Sequence, residues 1–134
     1  MKRATSLVCF FLFLTGTIAS AERDLVPTLN NQPDVCPDQP SEPEWMRNTE
    51  ARDAYKRLLV QQIYRFQSMG RIVDAQSCTC ATRYPSWEAA EAVYFDRYSA
   101  ADYWSVVEAT SDYRRRANDL RKQAMPICEA AGNW

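Results

Sequence analysis

Two thiols one residue apart, Cys78-Thr79-Cys80, are the most reactive pattern in the chain. Sulfurs at that spacing can share a Cu(I) ion, a soft cation that favours thiolates, or exchange disulfides with a partner. A redox thiol also needs a depressed pKa, from a helix N-terminus or a cation. Arg83 is the only nearby cation, and no strand-then-helix pattern surrounds the pair. The plainer reading is structural. With Cys36 and Cys128 the pair completes an even set, and four cysteines in an oxidising compartment make two disulfides. A bridge between Cys78 and Cys80 closes a ring too tight for standard disulfide geometry. That leaves 36–78 with 80–128, or 36–80 with 78–128. In both patterns residues 78–80 are a hub holding two distant parts of the chain, and each bridge contributes about 4 kcal/mol in the chain-entropy view.

The 134 residues include no histidine. A Ser-His-Asp triad, a Cys-His pair, a His-ligated zinc and a histidine general base are therefore excluded together. Glu88, Glu91 and Asp96 are the carboxylates that a glycosidase-type acid and base would require. Glu88 and Glu91 equally suit the positive end of a helix dipole, and no second carboxylate sits in an apolar stretch that would raise its pKa. The expectation is a protein with no catalytic residues, no metal site and no cofactor.

Binding chemistry is better represented. Arg114-Arg115-Arg116, followed by Arg121 and Lys122, concentrates positive charge that could meet an acidic protein, an anionic glycan or lipid headgroups. Three consecutive residues span most of a helix circumference, so the plainer reading is a solvated face with pairs such as Asp112 to Arg116. Neighbouring aromatics, Tyr94 with Phe95 and Tyr103 with Trp104, cannot both point inward, and the outward member of each pair is a natural interface anchor. Trp134 either folds back onto the last helix or is offered to a partner. Trp104, Arg114, Arg115, Arg121 and Trp134 are the candidate partner-binding residues.

The elements that must position these groups are helical. Residues 22–43 hold five of the seven prolines and should form an extended arm, fastened by Cys36. From Glu44 to about Met69, Ala51, Tyr55, Leu58, Leu59, Gln62, Ile63, Phe66 and Met69 recur at threes and fours, which predicts an amphipathic helix ending at a Gly70 cap. Residues 70–85 form a connector carrying the cysteine hub, with one helical turn around 73–76. Ser86 caps a second helix to about Arg97, with Trp87, Ala90, Val93 or Tyr94, and Tyr98 as its stripe. Ser99 with Asp102 resembles a capping box for the longest helix, whose stripe includes Val106, Thr110, Tyr113, Ala117, Leu120, Ala124 and Cys128. Pro126 should kink or break that helix one turn earlier, and Gly132 should cap its end. The expected fold is all-α: three antiparallel helices over residues 44–134 with a proline-rich arm laid across them.

Residues 1–21 read as an export signal: Lys2 and Arg3, then an apolar run from Leu7 to Leu14, then Ala19-Ser20-Ala21 before the expected cleavage. Cys9 lies inside that apolar run with no small residue just before it, so lipoprotein processing is not expected there. No segment approaches the roughly 20 apolar residues of a membrane span, so no membrane anchor is expected. The full chain carries 16 basic and 17 acidic residues, and removal of the signal takes two basic ones away. Nucleic acid is a poor match for that balance.

Cys78-Thr-Cys-Ala-Thr-Arg-Tyr-Pro-Ser-Trp-Glu-Ala-Ala90, Ala109-Thr-Ser-Asp-Tyr-Arg-Arg-Arg-Ala117 and Met125-Pro-Ile-Cys-Glu-Ala-Ala-Gly-Asn-Trp134 together make up 32 residues, little more than a quarter of the mature chain. They resemble small exported proteins that accompany type IV secretion or conjugal-transfer systems in α-proteobacteria. The resemblance implies a periplasmic accessory acting through contact with envelope or secretion-machine proteins, with no active-site residues to carry over. The expectation is a non-enzymatic interaction module whose oligomeric state is open. The alternative is a thiol-disulfide oxidoreductase or copper-binding protein centred on Cys78 and Cys80.

Overall fold

A computed structural model describes Cys36 and residues 39–134. The export signal and most of the proline-rich arm lie outside the described residues. The described chain is helical, with no strand among these residues: α1 (Glu44–Arg47), a 3-10 turn (Ala51–Asp53), α2 (Ala54–Ala75), α3 (Cys80–Arg83), α4 (Glu88–Arg97) and α5 (Tyr103–Ala130).

The helix expected from Glu44 to Met69 is divided and shifted. After α1 the Thr49 hydroxyl donates to the Trp45 carbonyl at 2.8 Å, and Glu50 adopts extended backbone. Short polar side chains such as Asn48 and Thr49 compete with the backbone for its own hydrogen bonds, which explains the interruption. Gly70 is not a cap. The helix runs through it because Ile72, fully buried two residues later, belongs to the core. Gln76 at φ 47° takes the left-handed position instead. The amides of Ser77 and Gln76 then bond the Ile72 and Val73 carbonyls, closing the helix as a glycine would have done.

The other helix boundaries also move. Trp87 rather than Ser86 stands at the start of α4, without a side-chain cap. Asp102 alone caps α5, accepting from the amides of Trp104 and Ser105, while the Ser99 hydroxyl is spent on the Phe95 carbonyl at 2.7 Å. The expected break before Pro126 is absent: α5 is continuous to Ala130. Ala124 and Cys128, both fully buried, pin the helix on either side of the proline. Pro126 deprives only the exposed Lys122 position of its bond, and water can satisfy that carbonyl. Gly132, at φ 67°, closes the helix as expected, with its own amide bonding Glu129 and that of Asn133 bonding Cys128.

α2 is the common partner of the helices. Along α5 its contacts climb in step, from Tyr55 against Tyr103 to Phe66 against Tyr113 and Gly70 beside Leu120, so the two run parallel. α4 runs the other way, starting near Gln67 and ending with Tyr94 and Phe95 beside Asp53 and Lys56. One buried cluster joins Met46, Leu59, Val60, Ile63, Tyr64, Ala90, Tyr94, Val106 and Tyr113. A smaller one, Ile72, Cys78, Ala124 and Cys128, surrounds a disulfide.

Between the two pairings left open by spacing, the structure contains Cys36–Cys80 and Cys78–Cys128. The Cα atoms lie 5.4 and 4.9 Å apart. The described part of the arm is held beyond its cysteine. The Trp87 indole donates to the Pro40 carbonyl at 3.2 Å, and Glu42 accepts from Arg57 and Gln61 on α2.

Candidate functional site

The five candidate partner-binding residues do not converge. Trp104 opens α5, Arg114 and Arg115 lie about 15 Å further along at 1.5 Å per residue, and Arg121 is a further turn and a half on. Each meets a different environment. Arg115 pairs with Asp112, as does Arg116 at 3.5 Å. Arg116 also lies over the Phe66 ring, its guanidinium carbon 4.1 Å from the centroid. Arg114 is exposed.

Arg121 and Trp134 do meet. The Trp134 ring has Arg121 at 5.2 Å and Arg83 at 5.6 Å, and it packs against the second core cluster. Of the two options for Trp134, the structure takes the fold-back. Arg83 additionally donates to the Asn133 carbonyl. Asn133 is a residue that sequence reasoning missed. It is buried, and its side-chain amide donates to the Cys78 carbonyl at 2.6 Å while its Oδ1 lies 3.8 Å from Cys36 Sγ. A buried amide so placed fastens the end of α5 to both disulfides. Only the helix-ending Gly-Asn pair hinted at it.

Trp104 is different. Its side chain is 74% exposed, the most open large apolar residue described, and among the described residues the Tyr103 ring at 5.1 Å edge-on is its only aromatic neighbour. Tyr103, 50% exposed, rests on Tyr55, and Leu58 adds a half-exposed aliphatic side chain one turn along α2. Isolated exposed apolar residues are ordinary, whereas a Trp beside a Tyr is what hot spots are made of. Asp102 anchors the platform. Its carboxyl is held below the usual carboxylate range, first by the Ser105 hydroxyl at 2.5 Å and then by the backbone amides of Ser105 and Trp104. Glu108, one turn beyond Trp104 on the same face, makes no hydrogen bond or ion pair among the described residues.

The carboxylates considered for catalysis are engaged or scattered. Glu91 accepts the Trp45 indole N–H at 2.7 Å, and Asp96 lies 3.9 Å from Arg97 on the surface. None of Glu88, Glu91 and Asp96 lines either hollow described below. Cys78 and Cys80 are each bonded to a distant cysteine rather than to one another.

A groove of about 700 Å³ lies between α2 and the α3–α4 segment. Phe66, Gln67, Gly70, Arg71 and Asp74 form its α2 side, and Ala81, Tyr84, Pro85, Ser86 and Ala89 the opposite wall. Tyr64 secures that wall, stacking on Trp87 at 3.8 Å and donating to the Pro85 carbonyl at 2.9 Å. Burial pushes its phenol pKa up. A second hollow of about 380 Å³ is lined by Trp45, Tyr94 and Phe95 with Asp53 and Lys56, which pair at 2.7 Å. That ion pair lowers the Asp53 pKa and raises that of Lys56.

Charge is divided along the helix axis. The half containing residues 62–90 and 110–134 carries eight basic and five acidic side chains, while residues 39–61 and 91–109 carry five basic and eight acidic. The acidic half holds the N-termini of α2 and α5, and the basic half holds their C-termini. This is the arrangement that the two parallel helix dipoles favour.

No protein-family profile, curated protein or solved structure matches the chain. Among the described residues no helix is long and apolar enough to cross a membrane. The two disulfides are compatible with a periplasmic or extracellular location.

Proposed function

We propose that the protein is a non-enzymatic interaction module of the periplasm, exported through its N-terminal signal with cleavage after Ala21. It contacts an envelope or secretion-machine protein, in keeping with its resemblance to accessory proteins of type IV secretion and conjugation. The observation that carries this reading is the Trp104 platform, an indole 74% exposed at the capped start of a 28-residue helix. Its backbone is already helical and its amide is held by the Asp102 cap, so little backbone ordering entropy opposes docking there. Arg114 and the exposed faces of Arg115 and Arg121 extend the contact surface along α5. Trp134, held between Arg83 and Arg121, serves the hub rather than the partner.

The redox or copper reading requires both long-range bridges to open before Cys78 and Cys80 can act as a pair. The interaction reading requires no rearrangement. Its test is a photo-activated cross-linking amino acid at position 108 in exporting cells, with and without Trp104→Ala. The expected result is a discrete adduct in the Trp104 background, reduced at least tenfold in the variant. An adduct of equal yield in both backgrounds, or none in either, contradicts the reading.

A further inference from the structure

The platform and the groove sit at opposite ends of the molecule, and their surroundings are oppositely charged. Trp104 projects from the acidic half with Asp102 and the unpaired Glu108 beside it. The groove opens in the basic half: its own lining carries Arg71 and Asp74, one of each sign, and Arg116 lies over the Phe66 that lines it, so the excess of positive charge comes from the surrounding half. Arg71 makes no ion pair among the described residues, and its one hydrogen bond, to the Ala81 carbonyl, is long at 3.5 Å.

The groove floor includes Gly70, which lies inside a continuous 22-residue helix. No internal contact requires a glycine there. A Cβ would meet only Leu120 Cδ1, at an ordinary 3.8 Å, and the residue has no left-handed φ. An interior glycine costs a helix about 1 kcal/mol relative to alanine, and what it offers in return is close approach to the backbone. At about 700 Å³ the groove is within the ~300–1,000 Å³ range of pockets that seat a drug-sized group, so an indole fits easily.

A molecule cannot seat its own Trp104. Gly70 packs at the level of Leu120, sixteen residues along α5 from Trp104, a rise of about 24 Å. We propose that the occupant is a second copy of this chain: Trp104 of one molecule enters the Gly70 groove of the next, with its acidic surround against the basic end. Such a contact joins two different surfaces, so each molecule keeps one free knob and one free groove, and the assembly grows head to tail. The inference rests on the platform being an interaction surface, and it adds a second copy of this chain to what that surface binds.

The test is sedimentation of the purified, oxidised protein over a concentration series at low salt. The wild-type average mass rises with concentration beyond that of a dimer, and association weakens several-fold between about 0.05 and 0.5 M salt. Trp104→Ala, which lacks the knob, and Gly70→Leu, which fills the groove, are each monomeric. Mixed in equal amounts they recover a complex that stops at a 1:1 dimer, because only one productive knob and groove remain. Arg71→Glu replaces Gly70→Leu if the latter loses its helical circular dichroism. A wild type that stays monomeric, a Trp104→Ala protein that still polymerises, or a mixture that does not pair would each overturn the inference. A monomer that nonetheless cross-links another protein from position 108 overturns it while leaving the interaction module standing. Monomers with no adduct remove both.

Discussion

Removing the two disulfides one at a time should have unequal effects, although their loops are nearly the same size. Cys36–Cys80 and Cys78–Cys128 span 44 and 50 residues, and chain entropy assigns about 4 kcal/mol to each. Their surroundings differ. Cys78 and Cys128 are 4% and 0% exposed, packed with Ile72 and Ala124, and the adjacent backbone carries the Asn133 clamp. Replacing both by alanine loses the cross-link and leaves a small cavity, which adds about 1 kcal/mol and brings the total to roughly 5 kcal/mol. Cys36 and Cys80 are only half-buried. Without their bridge, the segment before α1 can fray while α2, α4 and α5 stay packed, so the folded state regains part of the entropy. That loss should be roughly 2 to 3 kcal/mol. Urea unfolding of C36A/C80A and C78A/C128A under non-oxidising, thiol-free conditions, followed by circular dichroism, reads both. Limiting dithiothreitol and alkylation of the wild type should label Cys36 and Cys80 first. Equal losses, a larger loss for C36A/C80A, or first labelling of Cys78 and Cys128 would refute the argument from burial.

Other outcomes follow from individual contacts. Gln76→Gly should raise stability by about 0.5 to 1 kcal/mol in the same urea assay, because glycine adopts the left-handed helix end without penalty. Tyr64→Phe should lower stability by about 1 to 2 kcal/mol, because it leaves the Pro85 carbonyl without its donor. Asp102 has its pKa lowered in the folded state, so its cap contributes fully above the unfolded value of 3.8 and is lost as pH falls through the folded value. Acid melting curves should lose that component in Asp102→Asn, which caps without titrating. Burial raises the phenol pKa of Tyr64, Tyr94 and Tyr113 above 10, so stability should decline as pH climbs from 10 and their phenolate absorbance should develop late.

The parts of the fold legible in the sequence were those governed by burial periodicity. Val106, Thr110, Tyr113, Ala117, Ala124 and Cys128 mark the inward face of α5 in the structure as they do in the spacing. Helix ends were less legible, because the choice among competing polar groups is made by tertiary contacts. Ser99 and Asp102 both look like caps, yet one hydroxyl is spent backward on Phe95. Pro126 overstated its effect because the buried Ala124 and Cys128 hold the helix through it. Spacing narrowed the disulfides to two patterns of equivalent loop size, and three-dimensional proximity alone separates them. At the candidate site, the outward member of Tyr103-Trp104 was readable from adjacency. The groove was not, because it joins α2 to a wall 10 to 20 residues downstream, and Gly70 reads in sequence as a helix end.

The central claim is that Trp104 is covered when the protein is at work. Hydroxyl-radical footprinting of Trp104 in intact cells, compared with dilute purified protein, measures this directly, with Phe95, itself 53% exposed, as the reference. Oxidation of Trp104 should be at least fivefold slower in cells relative to Phe95. Equal relative rates in the two settings would contradict it.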